Sequence, residues 1–246
     1  MTSRISQSVP SFEMTALDVR VGACDGVAAM GRAAANKRVS ENQSEAAVRE
    51  RLLNSAINIF TQRGYAAATV REIVEAAGVT KPVLYYYFGN KEGIYLEIMK
   101  EALAQFKALL DESEKLGGRA WDRIQNLCAR CYELAHENLK VVRLIHSIFY
   151  GPSQSAPQCF APEAFHDLFH EAMLRLIREG IRTGDFARHD DEAMAHAVGG
   201  AFGTAIELEM AAPERAIGRR GLQQVLDVIF EGIRGPHSRS RENRKR

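Results

Sequence analysis

Residues 69–91, TVREIVEAAGVTKPVLYYYFGNK, contain two short helical patterns separated by a glycine. Thr69 is a favourable N-cap, and the apolar residues behind it recur at the spacing of one helix face. Gly78 has the backbone freedom to end this helix. Thr80 and Pro82 begin a second helix, because proline in a first helical turn loses no hydrogen bond. Two short helices joined by such a turn predict a helix-turn-helix, whose second helix enters the major groove of DNA.

The second helix carries a run of three tyrosines, residues 85–87. Leu84 and Phe88 flank the run four residues apart, so both can face the core. Successive residues are about 100° apart around a helix, which prevents the three tyrosines from sharing that face. Tyr86 is therefore expected to point outward. Phenol rings near lysine suit a surface that contacts phosphates and base edges better than one that contacts only water.

The residues around this pattern extend it in both directions. GVTKPVLYYYFGNKEGIYLEIM, from Gly78 onward, resembles the DNA-binding module of TetR-type bacterial transcriptional regulators, whose pattern is roughly G-[VI]-[ST]-x-x-x-L-Y-x-[HY]-F-x-x-K-E. Upstream, LLNSAINIFTQRGYAAATVREIVEAAG is similar to the first helix and the start of the second helix of that family. The matching positions are Ala56, Phe60, Gly64, Tyr65, Thr69, Ile73, Gly78, Val79, Thr80, Leu84, Tyr85, Tyr87, Phe88, Lys91 and Glu92.

The resemblance implies an all-α protein, with an N-terminal three-helix helix-turn-helix domain followed by a C-terminal helical bundle for ligand binding and dimerisation. It implies a homodimeric repressor that binds a palindromic operator in double-stranded DNA and is released by a small apolar or amphipathic ligand. Two alternatives remain open: a regulator of the same fold without a small-molecule response, and an α-helical enzyme or carrier that uses an apolar cavity. No catalytic motif and no glycine-rich phosphate loop is recognisable, so we expect neither an enzyme nor a cofactor.

The resemblance also assigns DNA-contacting residues. The helix begun by Thr69 can present backbone N–H groups to a phosphate. Family positions that contact phosphates align with Tyr86, Tyr87 and Lys91. Family positions that face base edges align with Arg71, Lys81, Pro82, Val83 and Tyr85. Arg71 and Lys81 are the candidates for guanine, and the other three are candidates for thymine methyl groups. In the structural alternative, Tyr85 lies half in the core and Arg71 pairs with Glu75.

Periodicity and composition divide the chain into four predicted parts. Residues 1–44 lack a sustained period and are expected to form a disordered extension, although Lys37 and Arg38 are candidates for a DNA-contacting arm. Residues 45–92 are the helix-turn-helix domain, with the first helix starting near Ser44 or Glu45. Residues 93–235 are the effector-binding and dimerisation domain, which reads as helices throughout. Residues 236–246 are a basic tail that we expect to be disordered.

The family places an apolar cavity within its C-terminal helices. The candidates for its lining are Phe106, Tyr132, His136, His146, Phe149, Tyr150, Phe165, Phe169, Met173 and Phe202. Ordinary core packing is the alternative for each of them. Ala195, Gly199 and Gly203 recur every four residues on the penultimate helix, a pattern that fits either close packing within one subunit or a dimer contact. In the family, the last two helices build the dimer.

Other features exclude further classes of site. Cys128 and Cys131 form a C-x-x-C within a helical pattern, without a second pair for zinc, and are expected to be reduced thiols packed on one helix face. His166 and His170 share a helix face, but no H-E-x-x-H surrounds them, so we assign no metal. The net charge of +1 argues neither for nor against nucleic acid. Neither a signal peptide nor a membrane span is recognisable, which predicts a cytoplasmic protein with no membrane partner.

Overall fold

The computed structural model describes the backbone of residues 25–149 and 163–233, and the side chains of residues 44–147 and 163–232. The described part of the chain contains no β-strand, and the predicted all-α fold is confirmed. Its elements are α1 (Asp25–Ala67), α2 (Val70–Ala77), α3 (Lys81–Phe88), α4 (Lys91–Glu114), α5 (Ala120–Glu137), α6 (Leu139–Phe149), α7 (Glu163–Thr183), α8 (Asp191–Ala211), a single 3-10 turn (Pro213–Arg215) and α9 (Gly218–Ile233).

The chain divides into two compact units, residues 1–46 and residues 47–246. α1 begins at Asp25, well before the start near Ser44 that the sequence predicted. Its early residues include runs of alanine, and alanine has the highest helix propensity, which explains why the helix starts there. Residues 1–24 and the basic tail from residue 236 lie outside the described residues, so their expected disorder stays a prediction.

The start and the end of α2 follow the residues that the sequence singled out. The Thr69 side chain accepts the Glu72 N–H at 3.3 Å, while the Glu72 carboxylate accepts the Thr69 N–H at 3.0 Å, which completes a capping box. At the other end, Gly78 has a φ of +65° and Val79 N–H donates to the Val74 carbonyl at 3.0 Å. This left-handed C-terminal motif turns the chain from α2 into α3.

α3 begins after Thr80, but the Thr80 side chain makes no capping hydrogen bond. Thr80 is thus the N-cap residue by position, as the sequence predicted, without a bond from its hydroxyl. Instead, the Thr80 carbonyl accepts the N–H groups of Val83 at 3.1 Å and Leu84 at 3.4 Å, and Pro82 lacks an N–H that would need a cap. Leu84 is fully buried, which anchors α3 on the module and leaves Tyr85 and Tyr86 exposed.

Two apolar cores lie within residues 47–246. The first core belongs to the helix-turn-helix module, which consists of the part of α1 from residue 47 onward, α2, α3 and the first half of α4. It includes Leu52, Phe60, Ile73, Leu84 and Tyr95. The second core lies among α5, α7, α8 and α9 and includes Ile124, Met173, Ile177, Val198 and Phe230. α4 contributes to both, since its first half is buried in the module and Leu109 and Leu110 are buried in the bundle.

α6 connects the bundle to the module. Leu144 is buried in the module core, although it comes far later in the sequence than the other members. A hydrogen bond joins the start of α6 to α1, because Lys140 Nζ donates to Asn58 Oδ1 at 2.7 Å. The Thr61 hydroxyl donates its one proton within α1, to the Ile57 carbonyl at 2.7 Å, and lies 3.2 Å from the Lys140 carbonyl. α6 therefore contacts the module both through its core and at its surface.

Buried polar contacts hold the bundle helices in register. The Tyr132 hydroxyl of α5 donates to the buried carboxylate of Glu209 on α8. Gln125 of α5 donates to Asp227 of α9 at 2.6 Å. Among the described helices, none combines the length and the apolar content needed to cross a bilayer.

Candidate DNA interface and effector cavity

The outward face of α3 combines a cation with two phenols. Lys81 and Pro82 are exposed, Tyr85 is 48% exposed, and Tyr86 is 77% exposed, as expected from its position on the helix. An α-helix with its side chains is about 10–12 Å in diameter, which fits a B-DNA major groove about 12 Å wide. Among the described residues, none forms an ion pair or hydrogen bond with the Lys81 side chain, so its ammonium is available to an incoming acceptor.

Tyr87 and Val83 occupy the flank of α3. Both are half-buried and pack against the module core. The Tyr87 ring lies edge-on to that of Tyr86, with 5.1 Å between centroids. This contact limits the orientations of the exposed Tyr86 ring and thereby presents its hydroxyl on the outward face of α3.

Arg71 forms the ion pair that the structural alternative predicted. Its Nε donates to Glu75 Oε1 at 2.7 Å, one helical turn on, and both side chains are exposed. An exposed pair of this kind contributes little to stability, because solvent screens it. The guanidinium therefore exchanges Glu75 for a stronger acceptor at little cost, and its role as a base contact stays a prediction.

The N-terminus of α2 already holds a carboxylate. Glu72 accepts hydrogen bonds from the hydroxyl and the N–H of Thr69, and these bonds lower the pKa of Glu72. Arg63 pairs with the same carboxylate. A phosphate approaching this helix end meets the remaining N–H groups beside an anion that Arg63 partly neutralises. The predicted phosphate contact at Thr69 thus depends on the backbone more than on the hydroxyl.

Lys91 lies at the junction of α1, α2 and α4. Its Nζ donates to the carbonyls of Tyr65 at 2.9 Å, Ala66 at 3.4 Å and Ala68 at 2.8 Å, and it lies 4.4 Å from the centroid of the Tyr65 ring. An ammonium has three donors, so all are used here. Partial burial lowers the pKa of Lys91. The geometry gives this lysine a structural role at the end of α1, and its predicted phosphate contact requires the loss of one of these bonds.

A cavity of about 670 Å³ lies between the helix-turn-helix module and the bundle. Five of the residues predicted to line it do so: Phe106, His146, Phe165, Phe169 and Phe202. The Phe169 and Phe202 rings stack with centroids 4.7 Å apart, and Phe106 and Phe165 are 5.6 Å apart. Aromatic walls of this kind and a volume in this range are typical of small-molecule sites.

Three other predicted lining residues do not reach the cavity. Met173 is fully buried within the bundle core. The Tyr132 hydroxyl donates to Glu209, and His136 Nδ1 lies 3.4 Å from the second oxygen of that carboxylate, so both side chains hold α5 to α8. The side chain of Phe149 and the whole of Tyr150 lie outside the described residues.

The polar part of the lining was largely missed from the sequence. It includes His166, His170, His196, Glu101 and Glu207. Of these residues, only His166 and His170 could be grouped from the sequence, because they are four residues apart on one helix. Residues that come together from different helices show no regular spacing in the sequence. His146 completes this set, and its burial lowers its pKa, partly opposed by the nearby Glu207 carboxylate.

The two cysteines of α5 are packed thiols. Cys128 and Cys131 are both buried and free. Burial raises the pKa of Cys128 to about 12 and raises that of Cys131 as well. A reactive cysteine needs a lowered pKa and solvent access, so this environment favours the structural interpretation.

Small residues on α8 line the cavity instead of packing tightly. A Cβ atom added at Gly199 or Gly203 would meet no atom within 4 Å, and both glycines line the cavity. Close packing within the subunit therefore does not account for them.

On α9, Val225 is 40% exposed and Val228 is 72% exposed, and the two lie on one helix face. This exposed apolar face has no partner within the subunit's described residues.

Comparison with known proteins places these features in one family. A sequence profile described as bacterial regulatory proteins of the tetR family matches residues 52–98. The HTH-type transcriptional repressor KstR2 of Mycolicibacterium smegmatis is 35% identical over 143 residues, which cover 56% of this chain and 67% of that protein. For several other curated relatives, the match spans about a third to a half of their length.

Solved structures share the fold. The TetR family transcriptional regulator PfmR from Thermus thermophilus superimposes with a TM-score of 0.60 at 24% identity, over 74% of this chain and 97% of that chain. A complex of SmeT with triclosan superimposes with a TM-score of 0.62 at 18% identity, over 77% of this chain and 93% of that chain. The sequence match over the module, the similarity to the repressor KstR2 and the shared helical fold all indicate the same family. The chain belongs to the TetR family of bacterial transcriptional regulators.

Proposed function

We propose that the protein is a homodimeric repressor that binds a palindromic operator and is released by a small apolar or amphipathic ligand. The observation that carries this proposal is the position of α6, which has Leu144 in the core of the DNA-binding module while Val142 and His146 line the cavity. A ligand that favours a different position of α6 changes the position of α1 through the packing of Leu144 and the bond from Lys140 to Asn58. Such coupling is a difference in ligand affinity between two conformations.

The DNA contacts assigned to this function are those of the α3 face. Lys81 and Arg71 are the proposed readers of guanine, with Pro82, Val83 and Tyr85 against thymine methyl groups. Tyr86, Tyr87 and the N-terminus of α2 are proposed to hold phosphates. In the free protein, Lys91 supports these elements by joining α4 to the end of α1.

The ligand class follows from the lining of the cavity. Apolar and aromatic side chains supply most of the wall, and His146, Glu207 and Gln105 supply polar groups that orient a ligand. The solved complex of SmeT, which shares this fold, contains triclosan. We therefore expect an amphipathic molecule about as large as triclosan. Its apolar part would contact the aromatic wall, and its polar end would contact His146, Glu207 or Gln105.

A homodimer through α8 and α9 supplies the second half of the operator contact. The exposed face of Val225 and Val228 on α9 is the proposed contact surface. Two α3 helices related by a two-fold axis read half-sites about 34–36 Å apart, one helical turn of DNA. The KstR2 relative is named a repressor, which favours repression over activation for this chain.

The test begins with operator selection from genomic fragments of the source organism, followed by a thermal-shift screen of apolar and amphipathic compounds. A compound that raises Tm and weakens operator binding supports the whole proposal. Compounds that raise Tm but leave operator binding unchanged would favour a regulator without ligand response. Absence of sequence preference at low ionic strength would contradict the DNA-binding function itself, since operator recognition by a repressor requires it.

A further inference from the structure

A cluster of two imidazoles and one carboxylate lies where α7 meets the start of α8. His170 comes from α7, and Glu192 and His196 come from α8, where they are one helical turn apart. One potential ligand atom from each residue lies within 4.8 Å of the others. His170 and His196 also line the cavity, so the cluster is part of its wall. Nothing in the DNA-binding function requires these three residues to meet.

We propose that His170, Glu192 and His196 bind a divalent transition-metal ion such as Zn²⁺ in the wall of the effector cavity. Two imidazole nitrogens and one carboxylate oxygen form a common donor set for this class of ion. Three protein ligands leave at least one coordination position for water or another ligand. Because His170 and His196 line the cavity, a molecule in the cavity would lie close to the bound ion.

The hydrogen bond made by His196 orients this ring for metal binding. His196 Nδ1 lies 2.8 Å from the carbonyl oxygen of Glu192. A carbonyl oxygen only accepts, so Nδ1 carries the proton and Nε2 carries the lone pair. Metal-binding histidines typically donate their second nitrogen to a carbonyl or carboxylate in this way, which fixes the tautomer and the ring orientation.

The second ligand pair is already close to the required spacing. His170 Nε2 lies 2.9 Å from Glu192 Oε2. Zn–N and Zn–O bonds of about 2.0–2.2 Å in a tetrahedron separate two ligand atoms by roughly 3.4 Å. A small rotation of the exposed Glu192 side chain provides that separation. In the metal-bound state the His170 lone pair faces the ion from Nε2, and the ring proton lies on Nδ1.

Charged neighbours leave the site with a net negative charge. Arg178 Nη2 lies 3.9 Å from the other Glu192 oxygen, which opposes cation binding. However, Arg178 Nε donates to Asp191 at 2.5 Å, and this carboxylate neutralises the guanidinium. On the far side, the His166 ring stacks on His170 with 6.1 Å between centroids. Because the charges of Arg178 and Asp191 offset each other, the negative charge of the Glu192 carboxylate remains to attract a divalent cation.

The alternative is a simple bond between helices, in which His170 donates to Glu192 and no ion binds. Titration of the metal-free full-length protein with Zn²⁺ alone, by calorimetry, separates the two. We expect one saturable site per chain and a rise in Tm on binding. His170→Ala and His196→Ala should each weaken zinc binding at least about tenfold. Removal of a residue that only hydrogen-bonds to a metal ligand already costs about that much, and these two variants remove a ligand itself. His189→Ala, an exposed histidine outside the cluster, should bind as the wild type does.

A second measurement guards against misfolded variants and against zinc bound by cysteine. Glu192→Gln keeps the side-chain volume and a hydrogen-bond acceptor for His170 but should also weaken zinc binding. The Co²⁺-loaded protein should show the visible bands of nitrogen and oxygen ligation without a thiolate charge-transfer band. Lack of saturable zinc binding, equal affinity in the wild type and both histidine variants, or a thiolate band would overturn the proposal. None of these readouts depends on operator binding.

Discussion

Leu144 and His146 lie two residues apart on α6 but contact different parts of the protein. Leu144 is 1% exposed in the core of the helix-turn-helix module, whereas His146 lines the cavity. Successive side chains on a helix point in different directions, so one short helix serves both regions. α6 thus connects the cavity to the module core, beside Ile57 of α1 and Ile98 of α4, which also line the cavity.

Leu144→Ala tests this connection. Removal of a fully buried leucine side chain is expected to lower the free energy of unfolding by about 2–5 kcal/mol. If α6 transmits the ligand signal, the variant should also release operator less completely at saturating ligand. Urea denaturation and fluorescence anisotropy with a labelled operator measure the two effects. Leu116→Ala, which shortens a leucine that is 41% exposed, is the matched control; it should lower the free energy of unfolding much less and leave operator release unchanged.

The face of α3 predicts two different effects on DNA binding. Tyr86→Ala should weaken binding to all sequences alike, because the phenol is proposed to hold a phosphate. Lys81→Ala should relax the preference at one base position, with a loss of about 1–3 kcal/mol on the preferred operator. Competition binding with operators substituted at single positions distinguishes them. The control is Lys107→Ala, which removes an exposed lysine of α4. An equal loss of discrimination from Tyr86→Ala and Lys81→Ala would refute the assignment.

Lys91→Met tests the structural role of the ammonium. Its three bonds to carbonyl oxygens involve a charged donor, and their removal should lower the free energy of unfolding by about 2 kcal/mol. Lys81→Met, at an exposed site, should change it by less than about 0.5 kcal/mol. Urea denaturation compares the two variants. If Lys91→Met kept the wild-type midpoint and lost DNA binding, phosphate contact rather than support of the fold would be the role of Lys91.

The depressed pKa of His146 predicts a pH dependence of stability. Burial lowers the pKa of His146 below its ordinary value of about 6.5, so below that pH the unfolded chain binds more protons than the folded chain. The contribution of His146 to stability is therefore greatest above about pH 6.5 and falls as the pH decreases. His146→Gln should reduce the loss of Tm between roughly pH 7.5 and pH 5.5. His189→Gln, at an exposed site, should leave the loss unchanged.

The sequence predicted local structure better than it predicted contacts between distant helices. The capping box at Thr69 and the turn at Gly78 depend on neighbouring residues, so their patterns are visible in the chain. The cavity is different, because His196 and Phe106 meet its wall from helices far apart in sequence. Aromatic character identified five lining residues, but it also selected Tyr132, whose hydroxyl instead satisfies the buried Glu209. A single sequence contains no signal for such pairings.

Val228→Arg tests the proposed dimer contact. Val228 is 72% exposed, so an arginine there should leave the fold of the subunit unchanged. In a symmetric contact, the two introduced charges would meet across the two-fold axis, or would be buried without a partner, and either arrangement disfavours association. Light scattering after size-exclusion chromatography should show a shift to monomer. Operator affinity should fall with it, since each monomer engages one half-site.

Gln223→Arg provides the control for this change. Gln223 is an exposed residue of the same helix on a different face, and its substitution adds the same charge. It should leave the dimer and the operator affinity unchanged. A Val228→Arg protein that stayed dimeric and bound operator normally would place the subunit contact elsewhere. Val225 and Val228 would then be ordinary exposed apolar residues, which occur on most protein surfaces and do not indicate a contact.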